Sequence, residues 1–530
     1  MTLRLISSSS VLKFPFPSAA LWKRNVRCAV VILPALLFFV RDIAYAQAPA
    51  PTSTVSYYGV YLAKGKLGSA TITRDPHALR DGKAAIRTEM RMRMDLNVGG
   101  VSGKIETTDI SWTDPKSGAP VASDNQTVAS GRVTHITTTY SASSLTYIAD
   151  VQGTTRTDTI SLPPGKHFLA DPTDGADIKP SIGMRFSGEV FVPELFRLVD
   201  ADIFVSGKET IDVDGTAISA FKIIDHNSIE TSNVYADEDG GILRIDNTVA
   251  GAPMQIRKEP KAMALADPGK GDAPDIIALT TIRPTGESMD DARKANAITY
   301  HISGISHPLA PTDTVQSVIY AAAPSGAAGD PAARDAEVVV RARPLPLTSG
   351  ARLFARAGDA PAALRPFLQA TPYIAADDPA FRALAKRVLG GETDCARAAR
   401  KIADYVHRTV KPDPSIAALR TATDVRDDPR GVCRDYTAFF TAIARGAGLP
   451  TKECVGLGYA NGSFLGHAWP EVWVGRDPLT DTDHWVALEP TWGVPFADAT
   501  HIKLAEGEIT DFFTVSGDMG NYRIRVVKVQ

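Results

Sequence analysis

Cysteine is scarce: there are four in 530 residues. That excludes a disulfide-stapled scaffold, in which cysteines are dense. No pair of cysteines or histidines has Cys-x-x-Cys or His-x-x-x-His spacing, so a zinc site is not expected. An oxygen-rich calcium loop is missing too; Asp424 to Asp428 is acidic but lacks EF-hand spacing. Neither a metal nor a cofactor is therefore expected. Charge of one sign is also lacking. The formal net charge is -3, which gives no electrostatic reason to expect nucleic acid as a partner. Long apolar runs are absent. The longest, Cys28 to Val40, falls short of the roughly 20 residues a membrane-spanning helix needs.

What surrounds that run is an export signal. Lys23, Arg24 and Arg27 precede it, and Ala44-Tyr45-Ala46 follows it as an Ala-x-Ala cleavage pattern. Residues 1–46 read as a signal peptide, with an uncleaved anchor as the alternative. Pro34 and the Arg41-Asp42 pair count against a spanning helix. The expected product is exported, periplasmic or secreted, with no transmembrane segment in the mature chain. The oligomeric state is not legible.

The length calls for several domains. Residues 47–54 form a flexible tether. From 55 to 260 strands dominate. Ile86, Thr88, Met90, Met92, Met94, Leu96 and Val98 alternate with Arg87, Glu89, Arg91, Arg93, Asp95 and Asn97, a period of two with one buried face. The methionines are read as core, not as a soft-metal or lipid site. Shorter alternating segments follow at Val133–Tyr140, Leu145–Val151, Phe221–Ile224 and Ile242–Ile245, which predicts a large antiparallel β domain. Residues 276–345 read as a smaller β-rich module. From 350 to 530 the pattern is α+β. Asp378-Pro379 opens one helix and Thr393-Asp394 another, where Ala399, Ile402, Tyr405, Val406 and Thr409 share a face.

The chemistry lies in this last part. Val432, Tyr436, Phe439, Phe440, Ile443 and Ala447 repeat at helical spacing, which puts Cys433 in a first helical turn. Unpaired backbone N–H groups there favour thiolate over thiol and can donate to an oxyanion. Arg434 adds positive field. A cysteine alone would more often be a small buried hydrophobe. His467 and Glu489, each read alone, would more often be strand-surface or rim residues. Together the three supply an activated sulfur nucleophile, its base and an orienting acid. His467 and Glu489 fall on flanking strands. A hairpin register pairing Val474 with Thr482 would set them directly opposite, with Cβ atoms about 4.5–5.5 Å apart; other registers of the same parity also put them on one face.

Three blocks carry a resemblance: Gly431-Val432-Cys433-Arg434-Asp435, Gly466-His467-Ala468-Trp469-Pro470-Glu471-Val472, and Trp485-Val486-Ala487-Leu488-Glu489-Pro490-Thr491-Trp492-Gly493. In this order they resemble the transglutaminase-like superfamily, relatives of the papain-like cysteine enzymes, over roughly residues 375–505. Alternation predicts N-terminal antiparallel all-β domains; the resemblance implies that an α+β papain-like/transglutaminase-like domain follows them, with Cys433 as nucleophile, His467 as base and Glu489 as acid. It departs at Glu489, where the family usually has Asp, and at Pro470, which predicts a strand edge or bulge. The implied activity is acyl transfer from an amide or peptide carbonyl through an S-acyl intermediate, as hydrolysis or transamidation. The substrate would be a protein or peptide, or a cell-envelope polymer. Two non-catalytic readings compete: an envelope protein using this fold as a binding module, and a β domain that itself binds a lipid or envelope polymer. Cys395 and Cys454 are the one candidate disulfide pair, since Cys28 leaves with the signal and Cys433 must stay free.

Overall fold

The computed structural model describes residues 53–530, except 99–100, 130, 170–178, 228, 230, 250, 269–273, 306–307, 311, 322–333, 417–418, 477–481 and 518. Residues 1–46, read above as a signal peptide, and nearly all of the expected tether at 47–54 lie outside the described residues. Among the described residues, no helix is long and apolar enough to cross a membrane.

An antiparallel β region comes first, and a smaller α/β region follows it. Fourteen strands between Thr54 and Lys258 form one sheet. Its first strand, Thr54–Leu62, lies in the middle and pairs with both Gly65–Arg80 and Ala252–Lys258. The alternating stretch forms the strand Lys83–Val98, with Met90, Met92 and Met94 buried in the core. The sheet curls, because Phe191 of the ninth strand stacks on Tyr147 of the seventh at 5.5 Å.

Five strands form the next sheet: Thr285–Gly286, Ala297–Ile305, Gln316–Tyr320, Arg334–Arg341 and Arg523–Val529. The last of these comes from the far C-terminus and inserts between the first two. Sequence order assigned it to the last domain; hydrogen bonding puts it here.

The α/β region begins with α1 (Pro379–Leu389) and α2 (Cys395–Thr409). Asp378 and Asp394 cap them by accepting from Ala380 N and Arg397 N, as the sequence pattern requires. After α3 (Ala422–Asp427) comes α4 (Cys433–Gly446), buried nearly all round. It packs on a four-stranded antiparallel sheet: β1 (Thr451–Ala460), β2 (Ser463–Arg476), β3 (Asp483–Ala487) and β4 (His501–Gly507), in the order β3-β2-β1-β4. Pro470 therefore lies in an internal strand, paired without a bulge opposite Glu453. The expected edge is not there. Pro470 O accepts from Leu488 N at 2.9 Å, just past the end of β3, so its missing N–H falls where that ladder stops.

Cys395, Cys433 and Cys454 are buried and none of them is in a disulfide, which overturns the candidate Cys395–Cys454 bridge. Cys395 packs in the helical core, and Cys454 packs against Trp469, Ala487 and Ala497 in a separate cluster.

A buried ammonium fastens the small module to the site sheet. Lys503 of β4 meets both oxygens of Glu471 at 3.1 Å, Glu506 at 2.6 Å and Asp313 of the module. Gln316 bonds the Lys503 backbone on both sides, at 2.7 and 2.9 Å. Replacing Lys503 with Met would leave Glu471, itself fully buried, without its counter-ion. The expected loss is about 3–5 kcal/mol, read as a lower melting transition. Adding Glu471→Gln should restore part of it, and strict additivity in the double variant would contradict this account.

Candidate active site

Gly431 leads into α4 under close contact. A Cβ there would meet Asp435 Cβ at 2.4 Å, so glycine lets Asp435 fold back. The Asp435 carboxylate accepts from Val432 N at 2.8 Å and closes the helix start just before Cys433. Arg434 follows Cys433 directly. Its guanidinium is buried and donates to Ile416 O at 2.6 Å, with Asp435 at 4.0 Å.

His467 sits inside β2, paired with Gly456 of β1. Its Nε2 is 2.6 Å from Glu489 Oε2. The Cys433 thiol also hydrogen-bonds the ring. With Nε2 committed to Glu489, Nδ1 is the nitrogen left for sulfur. The structure thus brings all three predicted residues together. It does so in a different register. Trp473 pairs with Trp485 and Glu471 with Ala487, two residues away from the expected pairing. By that register Glu489 falls diagonal to His467, and diagonal neighbours are typically about 7–8 Å apart, somewhat less between Cβ atoms. The longer acid spans that gap, which gives the Asp-to-Glu departure a physical reason.

The surroundings hold the imidazole flat. Trp492 stacks on it at 4.4 Å and 15°. Gly458 makes this possible, since a Cβ there would meet Trp492 at 2.9 Å and His467 at 3.1 Å. Arg293, from the segment joining Thr285–Gly286 to Ala297–Ile305 in the five-stranded sheet, lies 4.5 Å over Trp492 and donates to Tyr459 O at 2.8 Å. His407 of α2 bonds Pro490 O at 3.0 Å and anchors the turn after Glu489.

Two further residues belong to the cluster. His501 opens β4 and places Nε2 3.1 Å from the same Glu489 Oε2. Asp498 lies behind it, 3.4 Å from Nδ1. Sequence reading passed over His501 because β4 pairs with β1, and that neighbour relation is not local in sequence. The available signal was Asp498-x-x-His501 at a strand start, beside the Gly456-x-Gly458 gap in the strand between the two histidines.

The matching sequence profile is that of the transglutaminase-like superfamily, over residues 382–490. This segment is a transglutaminase-like domain. No curated protein matches the chain. Among solved structures, a candidate cysteine protease from Cytophaga hutchinsonii is similar at 18% identity and a TM-score of 0.29, over 43% of this chain and 83% of its own. A β-barrel-like protein of a domain of unknown function from Brucella abortus is similar at 10% and 0.28, over 39% and 94%. A candidate protease from Parabacteroides distasonis is similar at 10% and 0.18, over 76% and 70%.

The electrostatics of the transglutaminase-like domain follow from burial. Cys433, His467 and Glu489 are only 4%, 3% and 0% exposed. Burial alone would push the His467 pKa down; the Glu489 charge and the hydrogen bonds to Cys433 and Glu489 outweigh it and hold the ring up at about 10. Burial pulls Glu489 the other way, yet the two histidines keep its carboxyl far below the usual range. Two trios of ligand-type side chains come within 4.8 Å among the described residues: His467, Glu489 and His501, and Cys454, Glu471 and Glu506. In the first, the carboxylate is hydrogen-bonded to both rings; in the second, Lys503 supplies the cation.

A pH dependence follows. The folded-state pKa of His467 lies above its ordinary value near 6.5, so its stabilisation is complete below about 6.5 and is lost as pH rises through about 10. Urea midpoints should fall between pH 6 and 10 in the wild type. They should fall less in His467→Ala, and equal slopes would contradict the pairing.

Proposed function

We propose that this chain is an exported cysteine enzyme that forms an S-acyl intermediate at Cys433 from an amide or peptide carbonyl. The observation that carries the reading is His467 held between the Cys433 thiol and the Glu489 carboxylate, with its charged form favoured. The export half rests on residues 1–46 alone.

The steps follow from those positions. Cys433, its proton on His467 Nδ1, attacks the carbonyl carbon and forms the C–S bond. The carbonyl electrons move to oxygen, near the N–H groups at the start of α4. When the intermediate collapses, the C–N bond breaks and His467 gives its proton to the leaving nitrogen. Neutral His467 then takes a proton from water or from an acceptor amine, which attacks the thioester. The C–S bond breaks, and the thiolate and imidazolium are restored. Water gives hydrolysis and an amine gives transamidation. A protein or peptide is the substrate class that fits this chemistry, and it calls for no metal.

Labelling of the full mature chain by iodoacetamide near neutral pH tests this. Fast alkylation at Cys433 that is lost in His467→Ala is the expected result. Slow labelling indifferent to His467 would favour a binding module built on the same fold.

A further inference from the structure

His501 is surrounded by acceptors. Nε2 faces the Glu489 carboxylate at 3.1 Å. Nδ1 faces Asp498 O at 3.2 Å and Asp498 Oδ1 at 3.4 Å. A neutral imidazole has one N–H and one lone pair, so it would turn a lone pair against an oxygen on one side. Against an ionised Glu489, which its pairing with His467 favours, only the doubly protonated ring satisfies both sides, and the ring is almost fully buried. Charge thus alternates along a line, buried from Cys433 through His467, Glu489 and His501 to Asp498, and ending at the partly exposed Arg293, whose Nη1 is 3.3 Å from Asp498.

We propose that His501 is a positioning residue, a lasting imidazolium that keeps Glu489 ionised and aimed at His467 through the whole catalytic cycle. The proposal rests on the acyl-transfer reading above. In that cycle His467 is neutral once it has protonated the leaving nitrogen. Glu489, with no exposure to water, would then be a buried charge without a counter-charge. His501 remains as the partner. Its own charge is paired in turn with Asp498, whose carboxyl is held below its ordinary range, against burial, by His501 itself and then by Thr500 and Arg293.

The groups around the ring agree. Glu489 and Asp498 face it as anions, and the His467 ring lies 5.6 Å away. Trp469 and Trp492 are its neutral walls, at 5.3 and 4.9 Å. Tyr300, whose hydroxyl donates to Ala499 O at 2.9 Å, is held un-ionised by burial. Burial pulls the His501 pKa down, but the hydrogen bonds and charges of Asp498 and Glu489 raise it. The shared site also explains why Glu489 needs length. One oxygen must reach two rings, on strands separated by β1, while Oε1 accepts from Trp492 N at 3.1 Å.

The test is ring-nitrogen NMR on the full mature chain carrying 15N-labelled histidine. The His501 signals, assigned by their loss in His501→Gln, should report two protonated nitrogens at pH 7 and at pH 8. One bare nitrogen at pH 7 overturns the proposal whatever the enzyme does. In His501→Gln the titration midpoint of His467 should shift by about one pH unit, up where only the like charge is lost and down where Glu489 also loses its charge or its aim. A purely structural residue would leave that midpoint in place, and an unchanged value also overturns the proposal. If His501→Gln fails to fold, wild-type shifts assigned through Asp498→Asn decide the matter. Iodoacetamide labelling separates the two readings. Cys433 labelling that depends on His467 beside a neutral His501 sinks only this proposal. An unreactive Cys433 beside a charged His501 sinks the enzyme reading and the catalytic role given to His501.

Discussion

On the proposed function, Cys433→Ala should remove turnover of amide and ester substrates while the protein stays folded. The nucleophile is the one group in this site that nothing nearby can replace, since Cys395 and Cys454 lie in other clusters. Loss of a nucleophile from such a constellation typically costs several powers of ten in rate. Stability should change little. Alanine suits the first turn of a helix, and only one sulfur is removed from a site that stays lined by His467. Hydrolysis of a p-nitrophenyl ester and a panel of peptide amides, followed beside the melting transition, gives the answer. Wild-type turnover in this variant would remove the central claim. A collapsed melting transition would mean that the cysteine is structural.

Much of the arrangement could be read from residues. The alternation from Ile86 to Val98 marks a strand with one wet face, and the strand Lys83–Val98 keeps its methionines inside. Asp378-Pro379 and Asp394 are helix-start chemistry, and α1 and α2 begin there. Cys433 at a helix start followed from the spacing of Tyr436, Phe440 and Ile443. What escaped has one cause. Alternation fixes the face of a strand but not its partner. Parity put His467 and Glu489 on one face, yet the register differs by two residues. It also could not show that β4 lies beside β1, which brings His501 to Glu489, or that Arg523–Val529 returns to the sheet of Ala297–Ile305. The free cysteines follow the same rule: flanking one helix in sequence is not proximity.

Glu489 is the residue where register becomes chemistry. Its carboxylate orients His467 and stabilises the imidazolium, and at 0% exposure no water can substitute. Glu489→Gln keeps the size, removes the charge and offers an N–H where two rings already donate. By the corresponding change in serine proteases, turnover should fall by up to ~10⁴. The family's usual Asp at this position would by itself suggest that Glu489→Asp retains substantial activity. The diagonal register changes that expectation. Shortening the side chain withdraws the oxygen by roughly one bond length from a 2.6 Å contact with His467 and a 3.1 Å contact with His501. A displacement of about 1 Å can cost about 10²-fold in rate. The expected order is still wild type, then Asp, then Gln, but with Asp well below wild type. Full activity in Glu489→Asp would mean that the turn anchored by His407 shifts to close the gap. Wild-type turnover in Glu489→Gln, joined to its loss in Asp498→Asn, would make Asp498 the acid. That outcome would require His467 to reach past His501, which stands between them with Nε2 on Glu489 and Nδ1 on Asp498.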